Sequence, residues 1–127
     1  MKLLLDTNRL SDALSQVDEV IEVLEIAELI AVPVVALGEI RSGFLGGRRP
    51  ADNETRLAWF LSQDDVTILG IDAPVSHRYA QIHRQLRAAR KPIPTNDLWI
   101  AAIAVEHGLA LYTRDAHFSA VAGLARV

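Results

Sequence analysis

Lys2-Leu3-Leu4-Leu5-Asp6-Thr7-Asn8, residues 2–8, is the stretch that decides how the chain folds. A short, continuous apolar run that stops abruptly at an aspartate is the pattern of a strand buried on both faces, as in a parallel sheet covered by helices. The spacing then turns helical. Leu10 and Leu14, then Val17, Ile21, Leu24 and Ala27, recur at threes and fours from Thr7 to Glu28, which allows two helices broken near Ser15.

The same alternation continues outward from this segment. Leu29 to Val32 is a second apolar run, and Pro33 suits the first turn of a helix over Val34 to Leu45, where its missing N–H has no helical partner to lose. Gly46-Gly47-Arg48-Arg49-Pro50 reads as a loop, and Asp52 to Ser62 as a helix with Leu57, Phe60 and Leu61 inward. Val66 to Ile71, rich in β-branched residues, reads as a third strand. Asp72 caps a helix from Pro74 to Arg90, which ends before the breaker Lys91-Pro92-Ile93-Pro94. Thr95 caps an apolar helix that stops at His107-Gly108, and Leu109 to Thr113 is a fourth strand. Strand and helix alternate throughout. The expected fold is α/β: a three-layer α/β/α sandwich around a mostly parallel sheet of four to five strands. The tail from Ala116 onward is too short to place from its pattern.

The chain has 127 residues, the size of one domain, and 1–127 is read as a single unit with one core and one site. Without cysteine it has neither disulfides nor a thiolate metal site, which fits a reducing cytosol. The apolar run at the N-terminus is too short for a signal-peptide core, and Leu29 to Leu37 is too short to span a bilayer, so the protein is expected to be soluble and cytoplasmic. The net charge of −3 argues at first against a polyanionic partner. If four carboxylates belong to a metal site, however, 13 basic groups face 16 − 4 = 12 acidic ones, and bulk charge neither supports nor excludes RNA.

Asp6 falls at the carboxyl end of the first strand and Asp115 just past that of the fourth, where open parallel sheets bind ligands. Asp97 lies in the first turn of its helix, and Glu39 sits among Val35-Ala36-Leu37 and Ile40 with no nearby lysine to partner it. Taken singly, Asp97 could complement a helix dipole, Asp6 and Asp115 could be turn residues, and Glu39 a solvated helix residue. Should the four converge, each neighbouring pair at ~5 Å would repel by roughly 3 kcal/mol at an effective dielectric near 20. Such a cluster takes up protons or a cation, and hard oxygen donors favour Mg²⁺ or Mn²⁺ over zinc.

Together Leu4-Leu5-Asp6-Thr7-Asn8, Gly38-Glu39-Ile40-Arg41-Ser42-Gly43, Pro94-Thr95-Asn96-Asp97-Leu98-Trp99-Ile100-Ala101-Ala102 and Thr113-Arg114-Asp115-Ala116-His117-Phe118 resemble a PIN domain. They are especially similar to the VapC toxins of bacterial toxin–antitoxin pairs. The resemblance implies a catalytic quartet of Asp6, Glu39, Asp97 and Asp115, with Asp6 and Asp97 as direct metal ligands. Glu39 and Asp115 would hold a second ion or order water, and Thr7, Asn8, Asn96 and Thr113 would orient carboxylates or water. It further implies a metal-dependent endoribonuclease that hydrolyses RNA phosphodiesters with metal-activated water, leaving 5′-phosphate and 3′-hydroxyl ends. The implied cofactor is Mg²⁺, with Mn²⁺ as a substitute. The implied partners are RNA, a VapB-type antitoxin whose C-terminal segment covers the acidic groove, and a second copy of the chain, as a homodimer or within a toxin–antitoxin hetero-oligomer. Arg9 follows Asp-Thr-Asn where many relatives carry an apolar residue, and either brings charge to the rim of the site or faces solvent.

His77, His83, His107 and His117 share no spacing of a histidine-pair ribonuclease, and His107 before Gly108 reads as a C-terminal helix cation. Trp59 and Trp99 read as core or interface anchors rather than stacking platforms. Arg84, Arg87 and Lys91 recur at threes and fours, and with Arg41, Arg48, Arg49, Arg90 and Arg114 could line a phosphate track. Two rival functions remain. One is a non-catalytic PIN-like module that binds RNA or protein. The other is a receiver-type signalling domain, which calls for paired acids after the first strand and a lysine after a late one; here Asp6 stands alone and Thr113 precedes Arg114-Asp115.

Overall fold

Leu3 and Leu5 point to one face of the central sheet and Leu4 to the other, and this alternation divides the interior in two. The computed structural model describes all residues from 1 to 127. It contains four strands, β1 (Lys2–Leu5), β2 (Leu29–Pro33), β3 (Val66–Leu69) and β4 (Ala110–Tyr112). Six α-helices accompany them: α1 (Thr7–Leu14), α2 (Asp18–Ile26), α3 (Val34–Leu45), α4 (Pro50–Leu61), α5 (Ala73–Ala88) and α6 (Thr95–His107). The strands run parallel in the order β3-β2-β1-β4, and Arg126 in the tail adds a single parallel bridge to Leu111.

On one face Leu3, Leu5, Ile30 and Val32 pack with Leu10, Val20, Leu37, Ile40, Leu57 and Phe60 from α1 to α4. On the other, Leu4, Ala31 and Leu111 pack with Val75, Ile82 and Leu86 of α5 and with Leu98 and the run Ile100–Ala104 of α6. Because α6 packs against both β4 and α5, it is apolar around most of its circumference. The three-layer expectation holds.

The local signals are also seen. The Thr7–Glu28 segment divides near Ser15, with Gln16 in the left-handed region at φ 58°. Asp72 accepts a hydrogen bond from the Val75 N–H, and Gly108 ends α6 at φ 64°, where a Cβ would be strained. Thr95 departs from expectation. The cap residue of α6 is Pro94, with Thr95 already helical and no side-chain cap bond, because Pro94 fixes the extended entry by itself. The third strand stops at Leu69, short of Ile71.

Candidate metal centre

The chain lays down β1, β2 and β3 outward in one direction and then returns to place β4 on the other side of β1. That reversal opens a crevice at the carboxyl ends of β1 and β4, the position where open α/β sheets bind ligands. In the register, Leu5 pairs with Tyr112, so the next residues on the two strands, Asp6 and Thr113, meet at the rim.

Asp6 is the one charged side chain in the buried interior, 4% exposed. The Thr113 hydroxyl donates to Asp6 Oδ2, while the Arg9 N–H donates to Oδ1 at 2.8 Å and makes Asp6 the cap of α1. Burial nonetheless holds its carboxyl above the ordinary value, against these two hydrogen bonds. The Thr113 hydroxyl also accepts from the Asp115 N–H at 2.9 Å, so one threonine ties both acids to the end of β4.

Asp97 projects from the first turn of α6 and is half-buried. Its carboxyl is pushed up to about 6, first by burial and then by the charges of Asp115 and Glu39, with a smaller contribution from Asp6. Asp97 thus feels the charges of the other three predicted acids, of which Asp115 is the one whose carboxylate shares a close donor group with it. Glu39 is exposed on α3, and its Oε1 accepts from the Thr7 hydroxyl at 2.8 Å, the partner the sequence left unidentified. Asn8 and Asn96 are both exposed on first helical turns, and Asn96 shares an open cleft of about 620 Å³ with Glu39, Ser42 and Trp99.

The tightest donor group contains a residue that sequence reasoning passed over. Single ligand atoms of Asp97, Asp115 and His117 lie within 4.8 Å of one another. Asp115 Oδ1 caps the short 3-10 helix Ala116–Ala120 through the His117 N–H at 2.9 Å, and His117 Nδ1 stands 3.1 Å from the same oxygen. The signal for His117 in the sequence is the Asp-x-His spacing inside Thr113-Arg114-Asp115-Ala116-His117. The spacing suits a divalent ion: ligands at about 2.1 Å from an octahedral centre are about 3.0 Å apart when adjacent and about 4.2 Å when opposite.

Arg9 does not face open solvent, and its charge is felt at the rim, where it favours the ionised form of Asp6. Its guanidinium lies 4.5 Å above the Tyr112 ring and contacts Asp12 at 3.4 Å, and its Nε is buried without a partner. Asp12 also holds Arg114 at 2.7 Å, linking α1 to the segment that carries Asp115. Trp99 is half-buried and stacks on Tyr79 at 4.0 Å, whereas Trp59 is 63% exposed, which excludes the core half of its core-or-interface reading. Trp59 instead helps wall a cavity of about 500 Å³ between α1 and α4, away from the carboxylates. No helix is long and apolar enough to cross a membrane.

The chain resembles known proteins in sequence and in fold. The family model described as PIN domain matches residues 3–124. Ribonuclease VapC4 of Mycobacterium tuberculosis is 42% identical over 90 residues, covering 71% of this chain and 69% of the relative. Ribonuclease VapC5 of the same organism is 33% identical over 112 residues, covering 88% and 80% respectively. Among solved structures, that of VapBC2 from Rickettsia felis bound to a DNA fragment from its promoter superposes with a TM-score of 0.91 at 25% identity, covering 100% of this chain and 98% of the matched chain.

Proposed function

Because this chain belongs to the PIN domain family, we propose that it is a metal-dependent endoribonuclease that acts as the toxin of a type II toxin–antitoxin pair. The observation that carries this reading is the convergence of Asp6, Glu39 and Asp115 on Asp97 at the switch point of the sheet. Four acids facing an RNA backbone repel it unless a cation intervenes. Asp6 and Asp97 are the proposed direct ligands, with Mg²⁺ as the ion and Mn²⁺ as its substitute. A divalent cation bound there offsets charge on the phosphate and makes a water acidic enough to ionise near neutral pH.

The chain's own groups then have distinct tasks. Thr113 and the Arg9 N–H hold Asp6 in one orientation while leaving each oxygen a further lone pair. Thr7 anchors Glu39 by Oε1, so that Oε2 orients the attacking water. Asp115, fixed by the Thr113 hydroxyl and the His117 N–H, completes the acidic wall opposite α6. Asn96 lies on the open cleft beside the acids, where its amide can hold water or a phosphate oxygen. Asn8 is the fourth proposed orienting group.

The partner of such a toxin is a VapB-type antitoxin, and the exposed Trp59 in its apolar cavity offers that antitoxin an anchor away from the acids. The pair is proposed to act in the cytoplasm as a hetero-oligomer. The test is cleavage of a mixed RNA panel by purified chain in Mg²⁺, Mn²⁺ or chelator, beside Asp6→Asn. Metal-dependent cutting that the substitution abolishes supports the reading. No cutting by folded, antitoxin-free protein overturns it in favour of a binding module.

A further inference from the structure

We propose that His117 supplies an imidazole nitrogen to the same cation as Asp97 and Asp115, giving an oxygen–nitrogen site that prefers Mn²⁺ to Mg²⁺. The inference rests on the metal-site reading of the acidic cluster, adds Asp115 and His117 to its direct ligands, and puts Mn²⁺ ahead of Mg²⁺.

The geometry carries the argument. Asp97, Asp115 and His117 each place a donor atom within 4.8 Å of the others. His117 Nδ1 and Asp115 Oδ1, 3.1 Å apart, are separated as two adjacent ligands of one octahedral ion are, at about 3.0 Å. His117 does not stand there to fill the core: its side chain is 61% exposed, and its neighbour Phe118 is the residue of this turn that packs inward. The backbone, by contrast, is fixed. Asp115 caps the 3-10 helix through the His117 N–H, so the acid that offers the oxygen also sets the direction of the imidazole. An isolated ion pair requires only the contact with Asp115. It does not explain why Asp97, from a different element, completes the group.

A nitrogen donor favours first-row transition ions over Mg²⁺, and among these Mn²⁺ is the hardest, best matched to the carboxylate and water ligands that make up the rest of the site. The remaining histidines lie elsewhere: His77 and His83 are on α5 and His107 is at the far end of α6. A nitrogen signal from bound Mn²⁺ therefore reports His117.

The experiment is Mn²⁺ binding to the purified chain, free ion being counted by continuous-wave electron paramagnetic resonance and bound ion examined by pulsed resonance for ¹⁴N modulation. Wild type should show imidazole modulation that His117→Ala and His117→Gln both lose. Mn²⁺ affinity should fall by about tenfold or more in both variants, while Mg²⁺ affinity, measured by competition, changes far less. Circular dichroism and thermal melting in chelator confirm that the variants fold. Bound Mn²⁺ without nitrogen modulation, or modulation that survives both substitutions, overturns the inference and leaves the metal-site reading standing. Failure of wild type to bind either ion overturns the metal-site reading and the inference with it.

Discussion

Replacing Asp97 with Asn should stabilise the metal-free protein at neutral pH. In the folded chain the Asp97 carboxyl titrates at about 6, against 3.8 when unperturbed, because it is partly desolvated and faces Asp115 and Glu39. Between those values the folded state binds more protons than the unfolded one, so stability falls as pH rises and the loss is complete above about 6. The whole interval corresponds to about 3 kcal/mol. Asp97 is only half-buried, and solvent screening reduces the figure to roughly 1–1.5 kcal/mol. Asn keeps the shape and removes the charge. Asp97→Asn should therefore melt about 3–6 °C above wild type at pH 7.5 in chelator. At pH 4, close to the unperturbed 3.8, the two should nearly coincide. Saturating Mn²⁺ should reverse the order, because only wild type gains binding energy from the ion. Scanning calorimetry at the two pH values, with and without metal, measures all of this. A variant no more stable than wild type at pH 7.5, or an advantage undiminished at pH 4, would refute the claim that holding the Asp97 charge in a partly buried site beside other acids costs stability.

Thr113→Val removes the hydroxyl that donates to Asp6 and accepts from the Asp115 N–H. The urea midpoint should reveal a loss of about 1.5–3 kcal/mol, with metal affinity falling in parallel. Asp12→Ala leaves Arg9 over Tyr112 without its closest carboxylate and frees Arg114. It should cost about 2 kcal/mol by the same measurement. Gly108→Ala meets no steric neighbour but must adopt φ 64°, so a thermal melt should show a cost of about 1–2 kcal/mol with RNA cleavage unchanged. Trp59→Ala should leave cleavage intact while calorimetric titration shows antitoxin binding weakened by about thirtyfold, as for a central aromatic anchor.

Much of the fold could be read from the sequence because burial in this architecture is periodic. Leu3-Leu4-Leu5 is apolar at every position since both sheet faces are covered. Strand ends were less legible. Ile71 has the composition of a strand residue, but pairing with β2 runs out at Pro33, which ends β2 and opens α3. Thr95 has the chemistry of a cap, yet Pro94 one residue earlier already imposes the dihedral angle a cap requires. Trp59 shows a limit of residue type as a guide to burial. It is apolar, but it lies on the face of α4 opposite Leu57, and two residues, about half a helical turn, separate core from surface.

The candidate site was legible for a different reason and failed differently. Asp6 and Asp115 were found because strand ends can be located from pattern, and the switch point then brings the ends of β1 and β4 together whatever the intervening residues are. His117 was missed because its significance lies in direction rather than spacing. A histidine two residues after an aspartate has no meaning until a 3-10 turn rotates its ring back toward that aspartate, and the turn exists here because Asp115 caps it. The carboxylate is thus both a donor and the device that aims a second donor. Its substitution should then do more damage than the loss of one oxygen: Asp115→Asn retains an acceptor for the His117 N–H, whereas Asp115→Ala releases it. If the aiming role is real, Mn²⁺ bound to Asp115→Asn keeps its nitrogen modulation and Mn²⁺ bound to Asp115→Ala loses it. Equal modulation in the two variants would mean that His117 finds the ion unaided.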